Sequence, residues 1–183
     1  MSVRITITER GLDRIFGSVQ RWARRSEGAV GRSLGKLAHE LRRDIVSGVR
    51  NQNPGGLQFK PLAASTRRRK GSSKALIDKG DLVRSVNVTK LGKLDYFVGV
   101  HRKVKTKDGK SMANLAEIHE FGSKKVKDRP PARPFLRPSY YAWRYEAQTR
   151  FAKMIAKELG LPLTGSMAVG IGSRLGGISF GGD

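Results

Sequence analysis

The side chains in this sequence that could carry chemistry are few and scattered. There is no cysteine, which removes a disulfide scaffold, a thiol nucleophile, a cysteine-ligated zinc and an iron–sulfur cluster together. The three histidines are His39, His101 and His119. His119 lies in Glu117-Ile-His-Glu120, and a zinc-peptidase helix needs a second histidine four residues on, where Ser123 stands. The run therefore reads as polar helix surface or a local ion pair. Asp78 and Asp81 flank Lys79-Gly80 and could share a cation, but a turn leading into a strand uses aspartate as readily for capping. No nucleophile elbow, Walker loop or Rossmann fingerprint occurs, and the glycines from Gly165 to Gly177 follow no strand and open no helix. The expectation is a protein that is not an enzyme and holds neither metal nor cofactor.

Positive charge is what the chain has in excess. Lys and Arg number 37 against 15 Asp and Glu, a formal net charge of +22 over 183 residues. A surface this basic repels copies of itself unless an anion shares the neighbourhood. Nucleic-acid phosphate is the commonest such anion, with an anionic membrane or an acidic protein behind it. The excess is uneven: residues 51–75 hold six basic side chains and no acidic one, and residues 101–139 hold eleven against four. Two runs stand out, Arg67, Arg68, Arg69 and Lys70, then Lys124, Lys125 and Lys127. Neither is interleaved with aromatics, which argues against stacking of single-stranded bases. No apolar run approaches the roughly 20 residues that span a bilayer, and the first residues lack a signal-peptide core. A reducing cytoplasm is the expected place of synthesis, with no membrane partner.

The elements that must carry these residues follow from hydrophobic period. Val3, Ile5 and Ile7 alternate with polar residues as in a short half-buried strand. From Leu12 the period becomes helical and runs through Val30, Leu34, Leu37, Leu41, Ile45 and Val49. Gly28, Gly31 and Gly35 fall in its middle, so either the helix breaks near residues 26–31 or another backbone packs closely there. A break giving two helices is the expectation. Asn51 to Gly56 is a turn cluster, and residues 57–73 read as a basic loop. Leu82–Thr89 and Leu94–His101 read as two strands of a β-hairpin around Gly92, and Asn114–Phe121 as a short helix stopped by Gly122. Four prolines hold Asp128–Pro138 extended. A last helix runs from Ser139 to Leu159, with Ala142, Tyr145, Ala147, Phe151, Met154, Ile155 and Leu159 as candidate buried positions. Seven of the 23 residues from Leu161 to Asp183 are glycine, too many for an independent core. The organisation expected is one domain over 1–160 and a glycine-rich extension over 161–183 that docks on a neighbouring subunit.

Four segments are specific in combination. They are Phe59-Lys-Pro-Leu62 with Thr66 and Lys70, Leu76-Ile-Asp-Lys-Gly-Asp-Leu-Val-Arg-Ser-Val86, Ala116-Glu-Ile-His-Glu-Phe-Gly122, and Pro131-Ala-Arg-Pro-Phe-Leu-Arg-Pro138. In this order they resemble the tailed-phage virion morphogenesis proteins, also called tail completion, neck or head–tail joining proteins. The resemblance covers residues 57–160; it departs from the usual pattern at Lys79, where a small residue often precedes the glycine, and leaves the tail uncovered.

The resemblance implies an α+β fold with a long N-terminal helix, a small antiparallel sheet and a C-terminal helix. It also implies a structural virion protein that forms a homo-oligomeric ring, six- or twelve-fold, at the head–tail junction. Its neighbours there would be portal, adaptor or head-closure proteins on one side and tail tube or terminator proteins on the other. Double-stranded DNA would pass through the channel without sequence specificity, so charge complementarity to its backbone is enough. Arg67, Arg68, Arg69, Lys70, Lys124, Lys125 and Lys127 are then candidate contacts either to that DNA or to acidic rims of adjacent rings. Phe59, Leu62, Phe121, Pro134, Phe135, Leu136, Tyr140 and Trp143 are candidate packing or interface anchors, with the core the favoured place for Phe135. The alternative class, resting on charge alone, is a free basic nucleic-acid-binding protein.

Overall fold

The computed structural model describes residues 9–70, 72–123 and 131–161, the opening part of the first helix as backbone only. Its element order is α1 (Glu9–Arg50), a 3-10 turn (Pro54–Gly56), α2 (Ala64–Lys70), α3 (Asp81–Ser85), β1 (Val86–Lys90), β2 (Tyr96–Val100), α4 (Met112–Phe121) and α5 (Leu136–Leu159). The fold is thus α+β, with a long N-terminal helix, a two-stranded antiparallel sheet and a C-terminal helix. The expected strand over residues 3–7 and the extension over 161–183 fall outside the described residues, Leu161 excepted.

The expected break in the first helix does not occur: α1 is continuous over 42 residues. The reason lies across the fold, in the hairpin. A Cβ on Gly31 would stand 3.2 Å from the Lys93 carbonyl oxygen, and one on Gly35 would stand 3.0 Å from the Tyr96 hydroxyl. Tyr96 Oη also donates to the Gly31 carbonyl at 3.3 Å. These glycines admit a packed neighbour while the helix runs on.

Other boundaries differ from the sequence reading: β2 begins at Tyr96, two residues later than expected, and α4 at Met112, two residues earlier. Residues 64–70 form a helix, since Ala64 to Lys70 contains no residue that breaks one. Leu82–Ser85 belong to α3, and the strand begins only at Val86; Leu82 and Val83 are both buried, a run that alternation in a strand would not give. The last helix opens at Leu136, three residues early, because Pro138 sits in the first turn where its missing N–H is no loss. β1 and β2 pair from Val86 opposite Val100 to Lys90 opposite Tyr96. The glycine stop at Gly122 is as expected, its N–H bonding Ile118 O at 2.8 Å.

Two apolar clusters hold the elements. One gathers Ile45 and Val49 of α1, Leu82 and Val83 of α3, Val86 and Val100 of the hairpin, Met112 and Ala116 of α4, and Phe135. The other is the seam of α1 on α5, where Leu37 meets Trp143, Ala147 and Phe151. Leu41 packs against both. In α5 the buried face is Ser139, Trp143, Ala147, Phe151, Ala152 and Ala156, so the expected burial of Ala142 and Tyr145 is corrected: both are exposed. Ala147 and Phe151 are buried as expected; Ser139, Trp143, Ala152 and Ala156 complete the stripe, and its four small members let the helices approach.

Candidate functional site

Glu120 is the centre of the most specific arrangement in the chain. The sequence reading of polar surface is overturned, for Glu120 is only 4% exposed. Its Oε2 accepts from the backbone N–H groups of Phe135 at 2.8 Å and Leu136 at 3.0 Å, and its Oε1 from that of Arg137 at 2.9 Å. These are the unsatisfied donors at the start of α5, and a carboxylate there meets both the hydrogen bonds and the positive end of the helix dipole. Arg137 Nε lies 3.7 Å from the same carboxylate. Sequence could not show this, because the acceptor is 15 residues from the helix it caps.

The neighbouring residues pull in further segments. The Arg133 N–H donates to the His119 carbonyl at 2.8 Å, and its Nη2 donates to the Lys60 carbonyl at 3.3 Å. Phe59 packs on the first cluster and Leu62 is buried. At the other end of the junction a Cβ on Gly55 would fall 2.1 Å from the Pro138 carbonyl oxygen, and φ there is +57°, so the turn after α1 and the start of α5 touch through bare backbone. The segments Phe59–Leu62, Ala116–Gly122 and Pro131–Pro138, far apart in sequence, thus meet at one place.

The anchors divide by exposure. Phe135 is wholly buried and Trp143 nearly so. Pro134, Leu136 and Tyr140 are half-buried. Phe121 stands out of the core, 61% exposed, with the Arg137 guanidinium 4.7 Å from its ring centre. About two helical turns beyond Arg137, Arg144 lies 4.9 Å from the Tyr141 ring and 5.2 Å from that of Tyr145.

Arg67, Arg68 and Arg69 are exposed on α2 and make no ion pair among the described residues, and Lys70 is half-buried. Lys124, Lys125 and Lys127 lie outside the described residues. Asp81, weighed as a metal ligand, is engaged by Arg84 at 2.5 Å.

A second basic surface escaped the sequence reading. A groove of about 490 Å³ runs along the C-terminal half of α1 and is lined by His39, Arg42, Arg43, Arg50 and Arg84, with no carboxylate among its lining residues. Arg42 Nε donates to the Val86 carbonyl at 2.7 Å, which holds that guanidinium at the groove floor. The signal was present: 39, 42, 43 and 50 recur at helical spacing along α1 and flank the stripe of Leu41, Ile45 and Val49. Two of these arginines have acidic partners outside the lining, Arg43 with Glu40 at 3.8 Å and Arg84 with Asp81 at 2.5 Å, and further along α1 Arg32 and Lys36 both pair with Glu158 of α5.

Comparison of the chain with known protein families, with curated proteins and with solved structures yields no match. Among the described residues no helix is long and apolar enough to cross a membrane.

Proposed function

We propose that this chain is a structural, non-catalytic component of a tailed-phage virion, and that copies of it close into a ring at the head–tail junction around the DNA channel. The observation that carries this reading is the convergence at Glu120 and Arg133. Three of the four segments behind the resemblance meet there, and each contributes a specific bond. The segments that carry the resemblance are thus also those that hold the start of α5 in place. Phe121 and the Arg144–Tyr pair are exposed and of the residue types that interfaces between subunits favour. The test is immunogold labelling of particles from a lysate in which the full chain is produced with its neighbouring gene products. Label at the junction of head and tail is the expected result; particles with intact necks and no label there overturn the reading.

The α1 groove favours a second reading, a basic nucleic-acid-binding protein that acts without a ring. Four arginines line this groove and none of its lining residues is a carboxylate, which suits phosphate, although Arg43 and Arg84 also pair with Glu40 and Asp81 beside it. A salt titration of duplex binding by the isolated chain separates the two. Tight binding that falls steeply with salt, from a chain that stays monomeric, supports this second reading. Weak binding until rings form supports the first.

A further inference from the structure

A pocket of about 230 Å³ opens where α1, the turn after it and α5 meet. In a chain of net charge +22, its lining carries two carboxylates, Asp44 and Glu146. Asp44 is half-buried and makes no ion pair among the described residues. Glu146 meets Arg150 at 2.7 Å, and Arg150 also lies 3.5 Å from Glu40, so the one cation in the lining already has two acidic partners. Ser139 lines the same pocket, is 2% exposed, and its Oγ has no hydrogen-bond partner among the described residues. A buried hydroxyl left without a partner is a cost that a bound donor removes. Trp143 is a further lining residue. An open carboxylate, an unsatisfied hydroxyl and an aromatic neighbour suit a planar cation with several N–H donors. A guanidinium can stack on an aromatic face while it bonds a carboxylate and a hydroxyl, which a compact ammonium does less well. Two carboxylates beside an arginine are a poor cage for a hard divalent cation, which takes about six oxygens.

We propose that this pocket receives an arginine side chain from α2 of a second copy of the chain. Arg67, Arg68 and Arg69 are consecutive, exposed and without an ion pair among the described residues. Consecutive helical residues stand about 100° apart, so three in a row offer an arginine to most directions around α2. These arginines do not line the pocket of their own chain. The contact is therefore head-to-tail: each copy gives an arginine to one neighbour and receives one from another, the arrangement that closes into rings. The second copy as occupant rests on the ring reading; the preference of the pocket for a guanidinium does not.

The first measurement follows the Trp143 indole N–H by NMR in the full chain, told from that of Trp22 by Trp22→Phe. N-acetyl-arginine amide should shift it at a concentration several-fold lower than N-acetyl-lysine amide. Asp44→Asn should weaken the arginine response by about fivefold. No shift, equal action of the two amides, or an unchanged response in Asp44→Asn each overturns the pocket. The second measurement is self-association against concentration by light scattering. Asp44→Arg, and separately a chain carrying Arg67→Glu, Arg68→Glu and Arg69→Glu, should each stay small where the unaltered chain associates. An equal mixture of the two should associate again, because each supplies the charge that the other needs. Association untouched by either change, a mixture that does not recover, or an unaltered chain that never associates overturns the second copy as occupant. Should Asp44→Arg fail to fold, Asp44→Asn still decides the pocket and the α2 variant still reports on the second copy. An arginine response in a chain absent from particles removes the head–tail reading alone; neck label on a chain without that response removes the pocket alone.

Discussion

In the seam between α1 and α5, Leu37, Trp143, Ala147 and Phe151 pack through side-chain carbon. At the junction around Glu120, by contrast, a carboxylate, a guanidinium and bare backbone hold together the end of α4, the start of α5 and the extended or turning segments around Gly55, Lys60 and Arg133. The seam is an average over many weak contacts, and apolar residues of similar volume can replace one another in it. The junction is a small number of directional bonds, each unique in type. Losing one acceptor there strands several buried donors at once. The two regions should therefore respond differently to equally modest changes.

The largest effect belongs to Phe135, which is buried completely and also sits at the residue before α5 begins. Phe135→Ala should lower stability by about 3–5 kcal/mol in urea unfolding, through lost burial and the cavity left behind. Phe151→Leu in the seam should stay within about 1.5 kcal/mol, since the neighbouring side chains can close on a smaller apolar group. Equal costs for the two would erase the contrast.

Glu120→Gln comes next, at about 2–3 kcal/mol. Glutamine keeps the shape but offers one oxygen and one NH2 group to three N–H donors, so a donor is left facing a donor. Arg150→Gln at the edge of the seam should cost less than about 1 kcal/mol, because its pairs with Glu146 and Glu40 are partly exposed. A Glu120 variant as mild as the Arg150 one would mean that α5 does not depend on its cap.

Acidification sharpens the comparison without altering shape. The folded chain binds the His119 proton less tightly than an exposed histidine would, owing to burial, Arg133 and Lys70. As pH falls below about 6.5 the unfolded chain protonates first, so stability is full above that pH and declines below it, until the folded ring protonates too. Urea midpoints between about pH 7 and pH 5 should fall, and His119→Gln should flatten that slope. A wild-type slope that survives the substitution assigns the effect to another group.

The contrast also explains what could be read from sequence. The seam and the first cluster were legible because Leu37, Leu41, Ile45 and Val49 repeat at helical spacing. The hairpin was legible from Val86, Val88, Val98 and Val100, although its first strand begins later than alternation suggested. The unbroken α1 was not, because glycine in a helix signals a break or a close neighbour equally, and only the hairpin decides between them. Glu120 was hidden because a long-range cap has no local signature: polar residues next to it made the segment look like surface. Among the candidate anchors Phe135 and Trp143 are buried and Phe121 is exposed, a division that residue type does not give, and the groove on α1 was hidden because its basic residues recur at helical spacing and not as an uninterrupted run.

The smallest effect tests the edge of the seam. Glu158 receives Lys36 and Arg32 from across the helix pair, and those two hydrogen bonds hold its carboxyl below the usual range. A depressed carboxylate contributes stability that is present above its unfolded value and lost as pH falls through the folded one. Both cations are more than half exposed, so water and salt screen the attraction. Glu158→Gln should lower the thermal midpoint slightly at low ionic strength, and the difference from wild type should vanish in high salt. Glu120→Gln, whose bonds are buried, should keep its full penalty there. The salt response thus separates the two carboxylates even if their low-salt effects were alike: a salt-insensitive Glu158 would be a second buried cap, and the seam would no longer be the purely apolar counterpart of the junction.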